Sequence, residues 1–146
     1  MKDVVNGSSQ DSELLSHRSL NQRTIREPVY GIGIGVHSGE KVRITLRPAE
    51  PNAGICFFRT DVKGAVVIPA SAEHVADTTL ATSVAHGSVS VATVEHLMSA
   101  LWGLGIDNLL VELSAEEVPI MDGSAAPFID MIESVGVVEQ SQARQF

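Results

Sequence analysis

Hydrophobic and polar residues alternate along several short stretches in the front part of the chain. Val42, Ile44 and Leu46 are separated by polar residues, and this period of two predicts a strand with one buried face. Two more strands are predicted at 55–61 and 66–71, around a turn at Lys63-Gly64. Residues 80–92 are predicted to form a hairpin, because two strand-like runs flank His86-Gly87. The front of the chain should therefore be rich in β-structure.

The period of the apolar residues changes at residue 93. The spacing becomes helical over the apolar positions Val94, Leu97, Leu101 and Leu104. We expect Thr93 to be the N-cap of this helix and Gly105 to end it in a left-handed conformation. A further strand is predicted at 108–113.

A second helix is predicted after the loop at 114–123. Ser124 is expected to cap it, Gly136 should end it, and one apolar face would carry Phe128, Met131, Ile132 and Val135. Residues 136–146 resemble the start of an element that does not continue. The order of several strands, helix, strand and helix predicts an α+β fold, with a mainly antiparallel sheet covered on one face by two helices.

Length and composition indicate one globular domain. The chain has 146 residues, of which 44% are hydrophobic, enough for one core. Residues 1–20 are polar and have no apolar period, so they are predicted to be a flexible tail that precedes a domain at 21–146.

The charge pattern excludes several classes of partner. The net charge is −8 and no cluster of lysines and arginines is present, which argues against binding to nucleic acid or to an anionic membrane surface. The chain has no long apolar run and no signal peptide, so we expect a cytoplasmic protein that is not an integral membrane protein. Cys56 is the single cysteine, and it is interpreted as a small buried hydrophobic residue.

Glu95 and His96 are the reactive residues of the first predicted helix. With Thr93 as the cap they occupy its second and third positions, where backbone N–H groups and the helix dipole favour an ionised carboxylate and a neutral imidazole. Neutral imidazole binds metal ions, and a carboxylate beside a metal-bound water can accept its proton. The pair therefore fits a metal ligand next to a general base.

The same pair also has an ordinary structural interpretation. Glutamate is common in the first turn of a helix, and a single histidine beside an apolar face is usually structural. Ala100 stands where the zinc motif HExxH would need a second histidine. On the dipeptide alone the structural interpretation is favoured, and a purely structural α+β domain remains an alternative.

Longer motifs connect the chain to a known family. The segments TVEHLMSALWGLGIDN (93–108) and EVPIMDGSAAPF (117–128), with GIGVHSGEKVRITLRPA (33–49) and DTTLATSV (77–84), stand in this order along the chain. Together they resemble the N-terminal half of the UDP-3-O-acyl-N-acetylglucosamine deacetylases, zinc hydrolases of lipid A biosynthesis. The resemblance implies one lobe of a duplicated two-lobe fold, with a small inserted sheet and a cleft between lobes that binds a UDP-acyl-sugar.

The resemblance also implies roles for individual residues. Glu95 would be the general base and His96 a zinc ligand. Thr79 and Leu80 fall in the inserted small sheet, where they could line the acyl-chain path or serve only in packing. His37 matches a histidine of the GVHSG turn and is interpreted as structural, or as a partner of a metal ligand. A tight turn is predicted at Asp122-Gly123. No role is assigned to the three other histidines, which are His17, His74 and His86.

A catalytic zinc takes three protein ligands and a water. This sequence supplies one of the three, and zinc and iron are both compatible with a single histidine. The resemblance places the other ligands, a catalytic histidine and the phosphate-binding residues in a second lobe, which is absent here. Two hypotheses follow: the first lobe of a deacetylase that is inactive alone, or a single-lobe binding or regulatory protein that pairs with the full-length deacetylase or its regulators.

An isolated first lobe should expose an apolar helix face that its partner lobe would cover. We therefore expect this chain to associate with the missing lobe or with itself through the helices. Trp102 is predicted on the exposed side of the first helix and would report such a contact.

Overall fold

The computed structural model describes residues 21–70, 75–77 and 82–144, and it describes side chains for 21–70 and 83–144. These residues form ten strands and two helices in an α+β fold, as predicted. In chain order they are β1 (Asn21–Ile25), β2 (Val29–Ile34), β3 (Lys41–Pro48), β4 (Ile55–Arg59), β5 (Ile68–Pro69), β6 (Val75–Asp77), β7 (Thr82–His86), β8 (Val89–Ala92), α1 (Glu95–Leu104), β9 (Leu109–Leu113), α2 (Ala126–Val135) and β10 (Val137–Ala143).

A five-stranded sheet forms the centre of the fold, in the order β2-β3-β9-β4-β5. Its neighbours are antiparallel except for the pair β4 and β9, so the prediction of a mainly antiparallel sheet is confirmed. The alternation in β3 has the predicted effect, because Val42, Ile44 and Leu46 are all fully buried.

Both helices contribute to the same core as this sheet. Leu97 and Leu101 of α1 and Phe128 and Ile132 of α2 are fully buried, as their helical spacing predicts. Helix α2 lies close to β2, since a Cβ at Gly31 would be 3.1 Å from the sulfur of Met131. The absence of a side chain at this glycine therefore allows the helix to approach the sheet.

Two smaller sheets flank the main one. Strands β6, β7 and β8 form an antiparallel sheet that contains the predicted hairpin and matches the expected small inserted sheet. Strand β1 pairs with β10. The buried amide of Asn108 ties this ribbon to the end of α1, because it donates hydrogen bonds to Gln22 Oε1 at 2.8 Å and to Gln140 Oε1 at 2.7 Å.

The structure corrects three sequence predictions. The strand predicted at 66–71 is only Ile68–Pro69, and Val66 and Val67 are exposed because no neighbouring strand pairs with them among the described residues. The C-terminal residues do not begin an unfinished element, since 137–143 complete a ribbon with β1. The N-cap of α2 is Ala125 rather than Ser124, although the Ala126 N–H donates to Ser124 Oγ at 3.2 Å.

The large exposed apolar side chains lie mostly outside the helices. Tyr30, Ile32 and Ile34 project from the outer face of β2, whereas the helices contribute Trp102, which is 80% exposed as predicted. Neither described helix is long and apolar enough to cross a bilayer.

Candidate functional site

The chain passes from strand β8 to helix α1 through an unusual backbone conformation. Thr93 follows the end of β8 with a φ of 62°, in the left-handed region that β-branched residues rarely adopt. Val94 is the N-cap, with φ −87° and ψ −10°. The chain therefore changes from strand to helix within two residues.

The prediction that Thr93 caps α1 is wrong. An N-cap residue normally has an extended backbone that lets its side chain accept a helical N–H, whereas the left-handed backbone of Thr93 does not, and no side chain caps α1. Glu95 and His96 consequently occupy the first and second helical positions, one earlier than predicted. Both remain in the first turn, where the unpaired N–H groups lie. The C-terminal prediction is confirmed, because Gly105 has φ 68° and ψ 36°.

Two buried oxygen atoms at this turn lack a hydrogen-bond partner. Among the buried polar side-chain atoms of the described residues, only Thr93 Oγ1 and Glu95 Oε2 are in this state. An unsatisfied buried polar group is destabilising by about 1–3 kcal/mol, and such groups in native proteins commonly mark functional positions. The start of α1 is therefore the candidate site.

The segment 116–118 holds this turn in place. The Ala92 N–H donates to the Glu116 carbonyl at 2.8 Å, and the Val118 N–H donates to the Ala92 carbonyl at 3.0 Å. These two bonds fix the residue that precedes Thr93.

The side chain of Glu117 extends this support to the turn after β2. Its carboxylate is buried, with 1% exposure, and accepts the backbone N–H of His37 at 3.1 Å and that of Ser38 at 2.9 Å. Burial acts to raise the pKa of the Glu117 carboxyl, but these backbone hydrogen bonds and the Ser38 side chain lower it more, so the net pKa lies below its usual value. Glu117 is therefore an ionised clasp between two loops.

The loop after Glu117 brings a second carboxylate to the site. The Ile120 N–H donates to the Ile34 carbonyl at 2.9 Å, and a Cβ at Gly33 would be 2.8 Å from Pro119 Cβ. The loop therefore lies against β2, and this contact requires glycine at position 33.

Asp122 follows in that loop and interacts electrostatically with His96. Its carboxylate accepts hydrogen bonds from Ser124 Oγ at 2.7 Å and from the Ser124 N–H at 2.9 Å. These bonds lower the pKa of Asp122, and the electrostatic effect of His96 lowers it further. The start of α1 thus offers the Glu95 carboxylate, which can accept a proton, and the His96 imidazole, which can ligate a metal ion, while Asp122 interacts electrostatically with His96.

Residues 22–146 match the protein family described as UDP-3-O-acyl N-acetylglycosamine deacetylase. The chain belongs to this family. Its relatives include the UDP-3-O-acyl-N-acetylglucosamine deacetylases of Chromohalobacter salexigens, at 58% identity, Teredinibacter turnerae, at 56%, and Legionella pneumophila, at 54%. Each match covers 87% of this chain and 42% of the relative. The chain therefore spans less than half the length of these deacetylases.

The described residues do not form a complete metal site. No group of three or more His, Cys, Asp or Glu side chains that could hold a metal ion occurs among residues 21–70, 75–77 and 82–144. A catalytic zinc takes three protein ligands. His96 fits one of them, as the resemblance to the deacetylases implied, and the rest of the coordination would have to come from outside this part of the chain.

The remaining predicted residues either have another observed environment or lie outside the described residues. The turn after β2 contains His37, whose imidazole is exposed and whose backbone N–H makes its contact with Glu117. Cys56 is half-buried rather than buried as predicted, although burial still raises the pKa of its thiol. Four residues fall outside the described residues, namely Thr79, Leu80, His17 and His74.

Sequence reasoning missed three residues of this site. Asp122 was identified only as part of a turn, which it is, and its proximity to His96 depends on tertiary structure. Glu117 resembled an ordinary loop carboxylate. The strained backbone of Thr93 had no sequence signal, because glycine or asparagine is the usual indication of a positive φ.

Proposed function

We propose that this chain is the N-terminal lobe of a zinc-dependent hydrolase that removes the N-acetyl group from UDP-3-O-acyl-N-acetylglucosamine in lipid A biosynthesis. The observation that carries the proposal is the buried, unpartnered Glu95 Oε2 beside His96 at a helix start, in a member of the deacetylase family. The proposed location is the cytoplasm, as the sequence predicted.

Each residue at the helix start has a distinct proposed role. His96 would be one ligand of the zinc ion, which supplies Lewis-acid chemistry when bound. Glu95 would accept the proton of the attacking water.

This chain would not be active alone. It supplies one of three expected ligands, and its relatives are more than twice as long as the segment that matches. We propose that a second lobe supplies the other ligands and the groups that bind the UDP phosphates.

Reassembly of two lobes tests the proposal. The chain is co-expressed with the remaining C-terminal part of the Chromohalobacter salexigens relative, and acetate release from the UDP-acyl-sugar and zinc content are measured. We expect activity only in the pair, a loss of roughly 10²–10⁴-fold with Glu95→Gln, and loss of zinc with His96→Ala. The control Glu116→Gln removes an exposed carboxylate in the same part of the fold and should keep activity. An assembled pair without acetate release, or an undiminished Glu95→Gln variant, would refute the proposal.

A non-catalytic role is the second candidate, and the exposure of Trp102 favours it. This single tryptophan of the chain is 80% exposed on α1, which suits a contact with the full-length deacetylase, its regulators or a second copy of this chain. Titration of the chain with a full-length relative should shift the Trp102 fluorescence, and the control Trp102→Ala should weaken the complex as measured by size-exclusion chromatography. A chain that stays monomeric at high concentration and shows no fluorescence change would eliminate this role.

A further inference from the structure

Thr93 combines two unfavourable features in one residue. Its backbone has a φ of 62°, although its side chain is β-branched. Its hydroxyl is buried, since the residue is 5% exposed, and no partner for Oγ1 exists among the described residues. Strain of this kind persists only where the surrounding structure enforces it, and it is concentrated at functional sites.

The structure around Thr93 enforces the strained conformation from both sides. Before it, Ala92 is fixed by hydrogen bonds to Glu116 and Val118. After it, the Met98 N–H donates to the Val94 carbonyl at 2.9 Å and so fixes the first turn of α1. The position of the Thr93 hydroxyl is therefore set by the fold rather than by its own contacts.

Threonine is not the best residue at this position, either for the backbone conformation or for packing. Glycine would adopt a positive φ without strain, and valine would fill the same space without burying a hydroxyl. The property that threonine has and both alternatives lack is a hydroxyl group at a fixed place. Two residues later, Glu95 Oε2 is buried in the same unpartnered state.

We propose that Thr93 is a positioning residue that acts through Glu95. The strained turn holds its hydroxyl so that it shares a buried water molecule with Glu95 Oε2, and this hydrogen bonding fixes the carboxylate in the orientation that proton transfer needs. This inference rests on the proposed function for its catalytic consequence. Its structural part, the shared water, can be tested without a measurement of activity.

A high-resolution crystal structure of the chain tests the structural part. We expect a water within hydrogen-bonding distance of both Thr93 Oγ1 and Glu95 Oε2, retained in Thr93→Ser and lost in Thr93→Val. An empty space between these oxygens, or a protein group bonded to both, would overturn the inference.

Kinetics of the reassembled pair test the consequence. Thr93→Val keeps the shape and strain but lacks the hydroxyl, so kcat should fall about 10–100-fold while KM changes little. Thr93→Ser should recover most of kcat. Thr93→Gly removes the hydroxyl and the strain together. Its kcat should therefore be as low as that of Thr93→Val, while its urea midpoint should be higher. It also serves as the second variant if Thr93→Val does not fold.

A merely structural role predicts the opposite order. Activity would then follow stability, with Thr93→Gly the most active variant, and this result or a Thr93→Val variant with more than half of wild-type kcat would overturn the inference. If the wild-type pair itself releases no acetate, the proposed function fails, and the crystallographic water still decides the role of the Thr93 hydroxyl.

Discussion

Glu117→Gln is the most direct test of how the candidate site is supported. The two carboxylate oxygens accept separate backbone N–H groups, Oε1 from His37 and Oε2 from Ser38. Glutamine has the same shape but a single acceptor oxygen, so its NH₂ group would face one of the two N–H donors. The substitution therefore removes one hydrogen bond and replaces the charged acceptor of the other with a neutral one.

The size of the effect follows from these contacts. A hydrogen bond to a charged group contributes about 1.5–3 kcal/mol, and a neutral one about 1 kcal/mol. Because Glu117 is 1% exposed, water cannot replace the lost partner. We expect the free energy of unfolding to fall by about 2–4 kcal/mol, a large part of the 5–15 kcal/mol that is usual for a domain.

Urea unfolding followed by circular dichroism measures this loss. With a slope of about 2 kcal/mol/M, the midpoint should fall by roughly 1–2 M. The matched control is Glu116→Gln, since this neighbouring side chain is exposed. Its free energy of unfolding should stay within about 0.5 kcal/mol of wild type.

The pH dependence identifies the charge as the cause. The pKa of the Glu117 carboxyl is lower in the folded chain than the usual 4.5. Its contribution to the free energy of unfolding is therefore complete above pH 4.5 and is lost as the pH falls through the pKa of the folded state. The stability difference between wild type and Glu117→Gln should therefore be constant near neutral pH and shrink in acid. A difference that persists unchanged in acid, or a midpoint equal to that of wild type, would refute the ionised clasp.

Three further substitutions probe the same region. Gly35→Ala should lower the free energy of unfolding by about 1–3 kcal/mol, because the added Cβ would lie 2.5 Å from Ser38 Oγ; an unchanged urea midpoint would contradict this packing. Gly103→Ala is the matched glycine control, since nothing lies within 4 Å of an added Cβ in α1, and it should raise stability by about 1 kcal/mol. Asp122→Asn removes the charge that interacts electrostatically with His96 and should lower kcat of the reassembled pair by roughly tenfold, whereas an undiminished kcat would show that Asp122 serves only its turn.

The period of apolar residues predicted those parts of the fold in which burial determines the structure. The alternation around Ile44 and the helical spacing around Leu97 were both confirmed, because each pattern leaves one face that must be buried. The errors lie where burial gives no such constraint. Val66 and Val67 are apolar but find no partner strand among the described residues, and β10 forms because β1 lies beside it, which no local pattern reveals.

The candidate site was less predictable than the fold. Glu95 and His96 were identified from chemistry and resemblance, and their roles remain predictions. Their exact helical positions were wrong by one residue, because Thr93 adopts a conformation that its side chain disfavours. That conformation is imposed from a distance by residues 116–118, so the local sequence could not reveal it.

The loop between β9 and α2 explains why the reactive residues can occupy a strained helix start. Residues 116–118 fix Ala92, Glu117 fixes the turn after β2, and Asp122 interacts electrostatically with His96, so one continuous loop links the approach to α1 with the turn after β2. A loop of this kind couples the stability of the site to a few buried hydrogen bonds. Glu117→Gln should therefore also weaken the site around Thr93. The double variant Glu117→Gln/Thr93→Gly should be less destabilised than the sum of the two single changes, because Thr93→Gly removes the strain that the loop no longer holds once Glu117 is replaced. Additive urea midpoints would show that the clasp and the strained turn are independent.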